Sequence, residues 1–277
     1  MSAQVYYDPK HPFRIKQTKH GMMAYSLNDT FIGRSLDQYG EWCEFEIDLL
    51  SRIIKPEDTV IDVGGNIGTH ALAFSKMASH VYSFEPQSRL FRILAANIAL
   101  NGVHNVTVKP QALGASCETI SIADLPPDET LFNFGALPLG ADLANRITAS
   151  MITIDSLGLA PSLIKIDVEG MEAQVIAGAT ETIKRCQPYL YLENNGNDSK
   201  AVSEALENVG YKAWWSMGPY FNPKNHFGNL INLWPKVMPS VNLIAVPRSS
   251  NVVFDLPEFG GAYDVWTKHT AALLTSN

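Results

Sequence analysis

The stretch Val60-Ile61-Asp62-Val63-Gly64-Gly65-Asn66-Ile67-Gly68-Thr69-His70-Ala71-Leu72-Ala73-Phe74 constrains the fold more than any other part of the chain. An apolar, β-branched run breaks at paired glycines and resumes with apolar residues at helical spacing. This predicts a buried strand, a tight turn and the first turns of a helix. Asp62 falls at the strand's end, placed to order the turn or to meet a cationic ligand. Gly64 and Gly65 let a ligand approach the backbone without meeting a Cβ. The helix beginning near Gly68 would aim its first N–H groups at that ligand. On its own, the stretch also fits a tight βα turn in any α/β protein.

One βα unit further on, Val81-Tyr82-Ser83-Phe84-Glu85-Pro86 is a second apolar run that ends in a carboxylate. That is the spacing at which nucleotide-binding α/β folds set an acid on ribose hydroxyls. A dinucleotide site would favour GxGxxG, with room for a pyrophosphate. Here the pattern is Asp-x-Gly-x-Asn-x-Gly, which resembles the first motif of class I S-adenosylmethionine-dependent methyltransferases. S-adenosylmethionine carries a ribose but no phosphate, so the turn would receive an amino acid moiety and a sulfonium. The resemblance implies cofactor contacts at Asp62, Gly64, Asn66, Gly68, Thr69, Glu85, Pro86 and, further on, Asp167.

The 277 residues are 46% hydrophobic, enough for one large domain, and hold no apolar run of membrane-spanning length. Residues 1–8 show neither a basic n-region nor an apolar h-region. The three cysteines are scattered and form no CxxC pair, so reduced thiols in a cytoplasmic protein are expected. A formal net charge of −7 argues against an electrostatic grip on nucleic acid. No membrane partner is expected, and the sequence leaves the oligomeric state open.

Residues 1–40 read as an N-terminal extension, with 31–36 as a strand entering a turn. From 41 to 54, Trp42, Phe45, Leu49 and Ile53 recur at helical spacing, ended by Pro56. This helix would lie over the cofactor end of the sheet, within reach for Tyr39, Trp42 and Glu44. A helix is expected over 87–100, a strand at 106–108, and then Gln111 and Ala112, which in methyltransferases would edge the adenine pocket. Residues 123–148, with Pro126-Pro127 and Asn133-Phe134-Gly135, read as an insertion folded over the site. Further strands are expected at 151–157, 163–170, 189–192 and 241–246, and helices at 171–185 and 199–209. The expected fold is α/β, a class I methyltransferase (Rossmann-like), mostly parallel sheet with helices on both faces and an antiparallel last strand. Residues 41–250 would form the domain and 251–277 a C-terminal tail.

The glycine turn, Phe84-Glu85-Pro86, Ala112-Leu113-Gly114, Asn133-Phe134-Gly135 and above all Lys165-Ile166-Asp167-Val168-Glu169-Gly170-Met171-Glu172 together resemble the FkbM-type methyltransferase family over roughly residues 35–247. The resemblance implies S-adenosylmethionine as donor and a hydroxyl acceptor on a sugar, polyketide or related small metabolite. Where one branch of the family tends to carry a basic residue soon after the Glu-Asn pair, this chain has Asn195-Gly196-Asn197.

The residues themselves suit that chemistry. A hydroxyl is a poor nucleophile and needs a base as the bond to methyl forms. Asp167, Glu169 and Glu193 would all stand at strand ends, where such folds bind ligands. Three roles stay open for them: base, helix cap, or Mg²⁺ ligands, the last as Asp167, Glu193 and Asn194. The metal-free base is favoured. Apolar walls with a few polar groups would form the acceptor pocket from Asn133, Gly135, Asn194, Trp215, Phe221, Asn222 and Asn225. Two other classes remain: a nicotinamide-dependent oxidoreductase, disfavoured because no Tyr-x-x-x-Lys run is placed to act on a carbonyl, and a non-catalytic S-adenosylmethionine-binding module.

Overall fold

The computed structural model describes residues 12–138, 141, 145–194, 199–235 and 239–261. An antiparallel hairpin, β1 (Phe13–Thr18) and β2 (Gly21–Ser26), leads into helices α1 (Ile32–Tyr39) and α2 (Glu44–Leu50). Three parallel strands follow with their crossover helices: β3 (Thr59–Val63), α3 (Thr69–Phe74), β4 (His80–Phe84), α4 (Ser88–Leu100) and β5 (Val106–Lys109). A small sheet branches off next, built from β6 (Gln111–Leu113), β7 (Glu118–Ala123) and β8 (Arg146–Ile152), with β8 in the middle. The chain returns through β9 (Leu163–Ile166), α5 (Glu172–Ala177), α6 (Thr180–Cys186), β10 (Tyr189–Glu193) and α7 (Ser199–Asn208). It closes with β11 (Tyr211–Gly218) and β12 (Ser240–Pro247).

The seven-stranded sheet runs β11-β12-β10-β9-β3-β4-β5, with β12 antiparallel to both neighbours and every other pairing parallel. The antiparallel last strand thus slots between β10 and β11 rather than ending the sheet. Alternation along each strand feeds two cores. Val60 faces one side with Leu72, Leu94 and Ile98, whereas Ile61 and Val63 face the other with Val175, Ile183 and Leu206. Helices α3 and α4 therefore cover one face and α5–α7 the other. Because β3 is flanked by β4 on one side and β9 on the other, chain order reverses at β3. A crevice opens at its carboxyl end.

Four local readings are corrected. Residues 32–39 are helical, not a strand, because Asp29 Oδ1 accepts the Phe31 and Ile32 N–H groups and starts a helix there. The helix expected over 41–54 is shorter, since Cys43 takes a left-handed backbone (φ 45°) just before it. The helix expected over 171–185 is two, because Asp155 accepts the Glu181 and Thr182 N–H groups and begins α6 afresh. The strand expected at 151–157 is β8, ending at Ile152.

The hairpin is stitched to α4 by Asn97 and Asn101, whose side-chain amides bond the backbone of Met22 and Ala24. At the other end Phe254 and Phe259 meet Trp214 and Trp215 edge-on. No helix among the described residues is long and apolar enough to cross a membrane.

Candidate active site

A cavity of about 320 Å³ occupies the crevice at the ends of β3, β4, β9 and β10. Its floor is the glycine turn. Gly64 has φ +83°, and a Cβ there would sit 1.9 Å from the Asp167 carbonyl oxygen, so only glycine lets β3 and β9 close up. Asn66 is also left-handed, and its N–H donates to Glu85 Oε2 at 2.9 Å. The Gln87 N–H donates to Glu85 Oε1 at 2.8 Å. Glu85 thereby ties the two strand ends together while each oxygen keeps a second acceptor position for a hydroxyl. Burial pushes its carboxyl up to about 8, against the pull of those two N–H groups. Thr69 and Pro86 also line the cavity.

Asp62 and Gly68 do not line it. Asp62 is fully buried, accepts from Ser83 Oγ, and faces Lys165 Nζ at 3.7 Å. The cation it meets belongs to the protein. Gly68 makes room for Leu94 of α4, so its role is packing. Tyr39 is likewise turned away: its hydroxyl donates to Ile231 O and accepts from the Leu233 N–H. Gln111 and Ala112 lie in the small sheet outside the cavity lining.

The acids at the strand ends do converge. One carboxylate oxygen from each of Asp167, Glu169 and Glu193 lies within 4.8 Å of the other two. Glu169 is brought round by a left-handed backbone (φ 54°). Asp167 Oδ2 accepts from Lys165 Nζ at 3.2 Å. Burial would lower the Lys165 ammonium pKa, but the charges of Asp167, Asp62 and Glu46 outweigh it and hold the cation charged. Glu169 and Glu193 are both held well above the usual carboxylate range, by burial first and then by neighbouring carboxylates, Asp167 foremost. Helix capping falls to neither of them nor to Asp167. No side chain caps α5; Glu172 instead ties the preceding turn by accepting the Val168 and Gly170 N–H groups. Asn194 stands outside the cavity lining, its Oδ1 accepting from Ser199 Oγ. Asp167, Glu169 and Glu193 bring three carboxylate oxygens close enough to hold a cation between them.

Residues 133–135 lie over this floor. Asn133, Phe134 and Gly135 line the cavity, and a Cβ on Gly135 would lie 3.1 Å from Asn66 Nδ2. Arg89 fastens the segment by donating to Asp128 Oδ1 and Leu125 O.

The expected acceptor residues mostly miss the cavity. Trp215 is fully buried against Phe259, and Trp214 packs on the opposite sheet face, because β11 alternates its side chains between two cores. Phe221 packs on Tyr39. Asn222 donates to Glu41 Oε1, and Asn225 bonds the backbone of Asn222 and Asn229, so both shape their loop. That loop presents Tyr220 instead. Tyr220 stacks on Trp42 (5.2 Å, 18°) and meets Phe31 edge-on, and all three rings line the cavity.

Reading the sequence alone missed Glu46 and His70. Both are buried in the cavity wall, with His70 Nε2 3.2 Å from Glu46 Oε2. Ser240 Oγ and Asn242 Nδ2 donate to Glu46 Oε1. Burial would raise the Glu46 carboxyl, but His70, Lys165 and Ser240 outweigh it and hold it low. The signal was an acid one turn after Trp42 on the otherwise apolar face of α2, and a histidine two residues after Gly68.

A family model described as "Methyltransferase FkbM domain" matches residues 62–213, more than half of the chain. The chain belongs to the FkbM methyltransferase family. The end of β3, strands β4, β9 and β10, and the acids that follow them fall within the matched segment. The hexuronic acid methyltransferase AglP of Haloferax volcanii is 29% identical over 171 residues, covering 58% of this chain and 66% of the relative. The match thus spans just under two thirds of that relative's length. Among solved structures, the FkbM methyltransferase of Methylobacillus flagellatus KT is similar at TM-score 0.47 and 16% identity, over 69% of this chain and 44% of that one. The precorrin-6y C5,15-methyltransferase of Geobacter metallireducens GS-15 is similar at TM-score 0.42 and 13% identity, over 74% and 88%.

Proposed function

We propose that this FkbM methyltransferase moves the methyl group of S-adenosylmethionine to a hydroxyl of a small acceptor, a sugar in the first instance. The single observation that carries the reading is that Gly64, Glu85 and the three acids share one cavity. The donor fits the residues present. The Gly64 position is a cradle that a Cβ would fill, and Glu85 keeps acceptor positions for two ribose hydroxyls. When bound, S-adenosylmethionine supplies an electrophilic methyl on a sulfonium. The sugar assignment is supported by the hexuronic acid activity of the AglP relative and by the aromatic rings beside the acids.

In this reading Asp167, Glu169 and Glu193 hold the acceptor hydroxyl, and one of them takes its proton as the bond forms. Lys165 touches Asp167 directly at 3.2 Å. Glu169 and Glu193 sit high without a cation, and a positive charge brought beside them lowers both into the range of a working base. Aligning hydroxyl and methyl is worth more than basicity alone, because in-line displacement depends on near-attack geometry. Phe31, Trp42, Tyr220 and the insertion would keep water out. No metal is required by this reading, and an acidic chain with an acidic cavity opposes a nucleic acid substrate.

The test is transfer of labelled methyl from S-adenosylmethionine to a panel of glycosides, with the product site found by mass spectrometry. An O-methylated sugar supports the reading. Methylation confined to RNA, or nicotinamide reduction with no methyl transfer, overturns it.

A further inference from the structure

We infer that the face built by the β1–β2 hairpin, α1 and the 219–234 loop docks on an anionic lipid surface, with Leu230 and Ile231 as its apolar tip. Two stretches far apart in sequence meet there. Residues 9–28 carry Lys10, Arg14, Lys16 and Lys19 without one acid, and residues 219–235 carry Lys224 without one acid. In a chain of net charge −7 this is a local reversal of sign.

The loop is tied to the hairpin and to α1 at several points. Lys16 Nζ lies 5.8 Å over the Phe227 ring, the Phe227 N–H donates to Tyr39 O, and Asn229 Nδ2 donates to Gln38 O. Arg14, Arg34 and Gln38 line one hollow with Leu233 of the loop. Three acids are bonded into this face, and all are buried. Asp37 pairs with Arg14 and Lys16, and Glu44 with Lys19, the cation being the more exposed partner each time. Glu41 accepts from Asn222 Nδ2 and the His226 N–H. Arg34 and Lys224 stand exposed. What this face presents to solvent is therefore cationic.

Among these cations stand apolar side chains that the fold does not bury. Leu230 is 79% exposed, Ile231 68% and Phe227 43%. A single exposed leucine means little, but here the backbone on both sides is pinned. Asn225 Nδ2 donates to Asn229 O, Asn229 Oδ1 accepts the Ile231 N–H, and the Tyr39 hydroxyl donates to Ile231 O. A hydrogen-bonded turn thus holds two aliphatic side chains out in water. A lipid surface would bury them at small ordering cost, while its anionic headgroups meet the surrounding cations. A nucleic acid would use the cations and leave both side chains in water. Docking of this kind needs no membrane-spanning helix. It replaces the expectation of no membrane partner, which rested on the lack of an apolar run of spanning length.

The test is co-sedimentation of the full chain with vesicles, at neutral pH in EDTA. One set is phosphatidylcholine alone, the other phosphatidylcholine with an equal part of phosphatidylglycerol. Binding to the anionic set should be about tenfold tighter or more, and should weaken as salt is added. Leu230→Ser with Ile231→Ser should lose about tenfold or more on the anionic vesicles. Arg34→Gln with Lys224→Gln should lose about as much at low salt. Both double variants should keep the wild-type melting temperature, because all four side chains are exposed. Val253→Ser removes a comparably exposed apolar side chain outside this face and should change nothing. Failure to bind the anionic vesicles, equal binding to both sets, or unchanged binding by either double variant overturns the proposal. So does an equal loss in the valine variant, or binding of polyuridylate in place of vesicles.

Discussion

Glu85→Ala separates what this residue does for the fold from what it does for the ligand. Truncation leaves the Asn66 and Gln87 N–H groups without their acceptor. Each such loss costs about 1–3 kcal/mol, and water entering the vacated space recovers part, so about 2–4 kcal/mol of stability is at stake. A second effect runs the other way. Burial holds the carboxyl at about 8, against an ordinary 4.5, so the folded state keeps a proton that the unfolded state gives up. A raised carboxyl contributes fully below its unfolded pKa, and that contribution falls as pH rises from about 4.5 to about 8, by up to about 1.4 kcal/mol per unit. The deficit of the alanine variant should therefore be largest near pH 5 and shrink towards pH 8. Urea unfolding of both proteins across this range, without ligand, reads it directly. S-adenosylhomocysteine affinity should fall by about fivefold to hundredfold, the loss of two hydrogen bonds at about 0.5–1.5 kcal/mol each. A stability gap that does not change with pH refutes the buried-carboxyl argument. Unchanged affinity in the folded variant refutes the ribose assignment.

Gly64→Ala meets the Asp167 carbonyl as well as an unfavourable φ. It should cost more than about 2 kcal/mol in urea unfolding, whereas Gly210→Ala, at φ +73° with open space around it, should cost only about 1 kcal/mol. Equal losses would remove the close approach of β3 and β9 as a constraint. Asp167→Asn and Glu193→Gln should each lower kcat at least tenfold with S-adenosylhomocysteine affinity nearly kept, and EDTA should leave wild-type turnover unchanged. Full loss in EDTA with rescue by Mg²⁺ would make the same acids metal ligands instead. Trp215→Ala should cost about 3–5 kcal/mol of stability, as emptying a core ring site does. Tyr220→Ala should spare stability by comparison and raise the acceptor KM, and the reverse pattern would return Trp215 to the acceptor site.

The sheet was legible because buried parallel strands leave short apolar runs, and Glu85, Asp167, Glu169 and Glu193 end three such runs in carboxylates. Their convergence follows from strand order, which the reversal at β3 produces. The acceptor wall was much harder to read. Trp214-Trp215 and Phe221-Asn222 look like ligand-facing residues, yet alternation in β11 sends both tryptophans into the core, and Asn222 is taken up by Glu41. Tyr220 differs from its neighbours only in the direction its loop turns it, which depends on Asn225 and on Tyr39 some 180 residues earlier in sequence. Glu46 and His70 come from separate helices, and nothing local marks them as a pair. Lys165 was visible in its motif, but its contact with Asp62 required β3 and β9 to be adjacent.

A crystal structure of the protein with S-adenosylhomocysteine bound tests the central claim most directly. The account predicts both ribose hydroxyls within hydrogen-bond distance of Glu85, the amino acid part over Gly64, and the sulfur facing the cluster of Asp167, Glu169 and Glu193. A nucleoside bound elsewhere, or a sulfur turned away from those three acids, would contradict it.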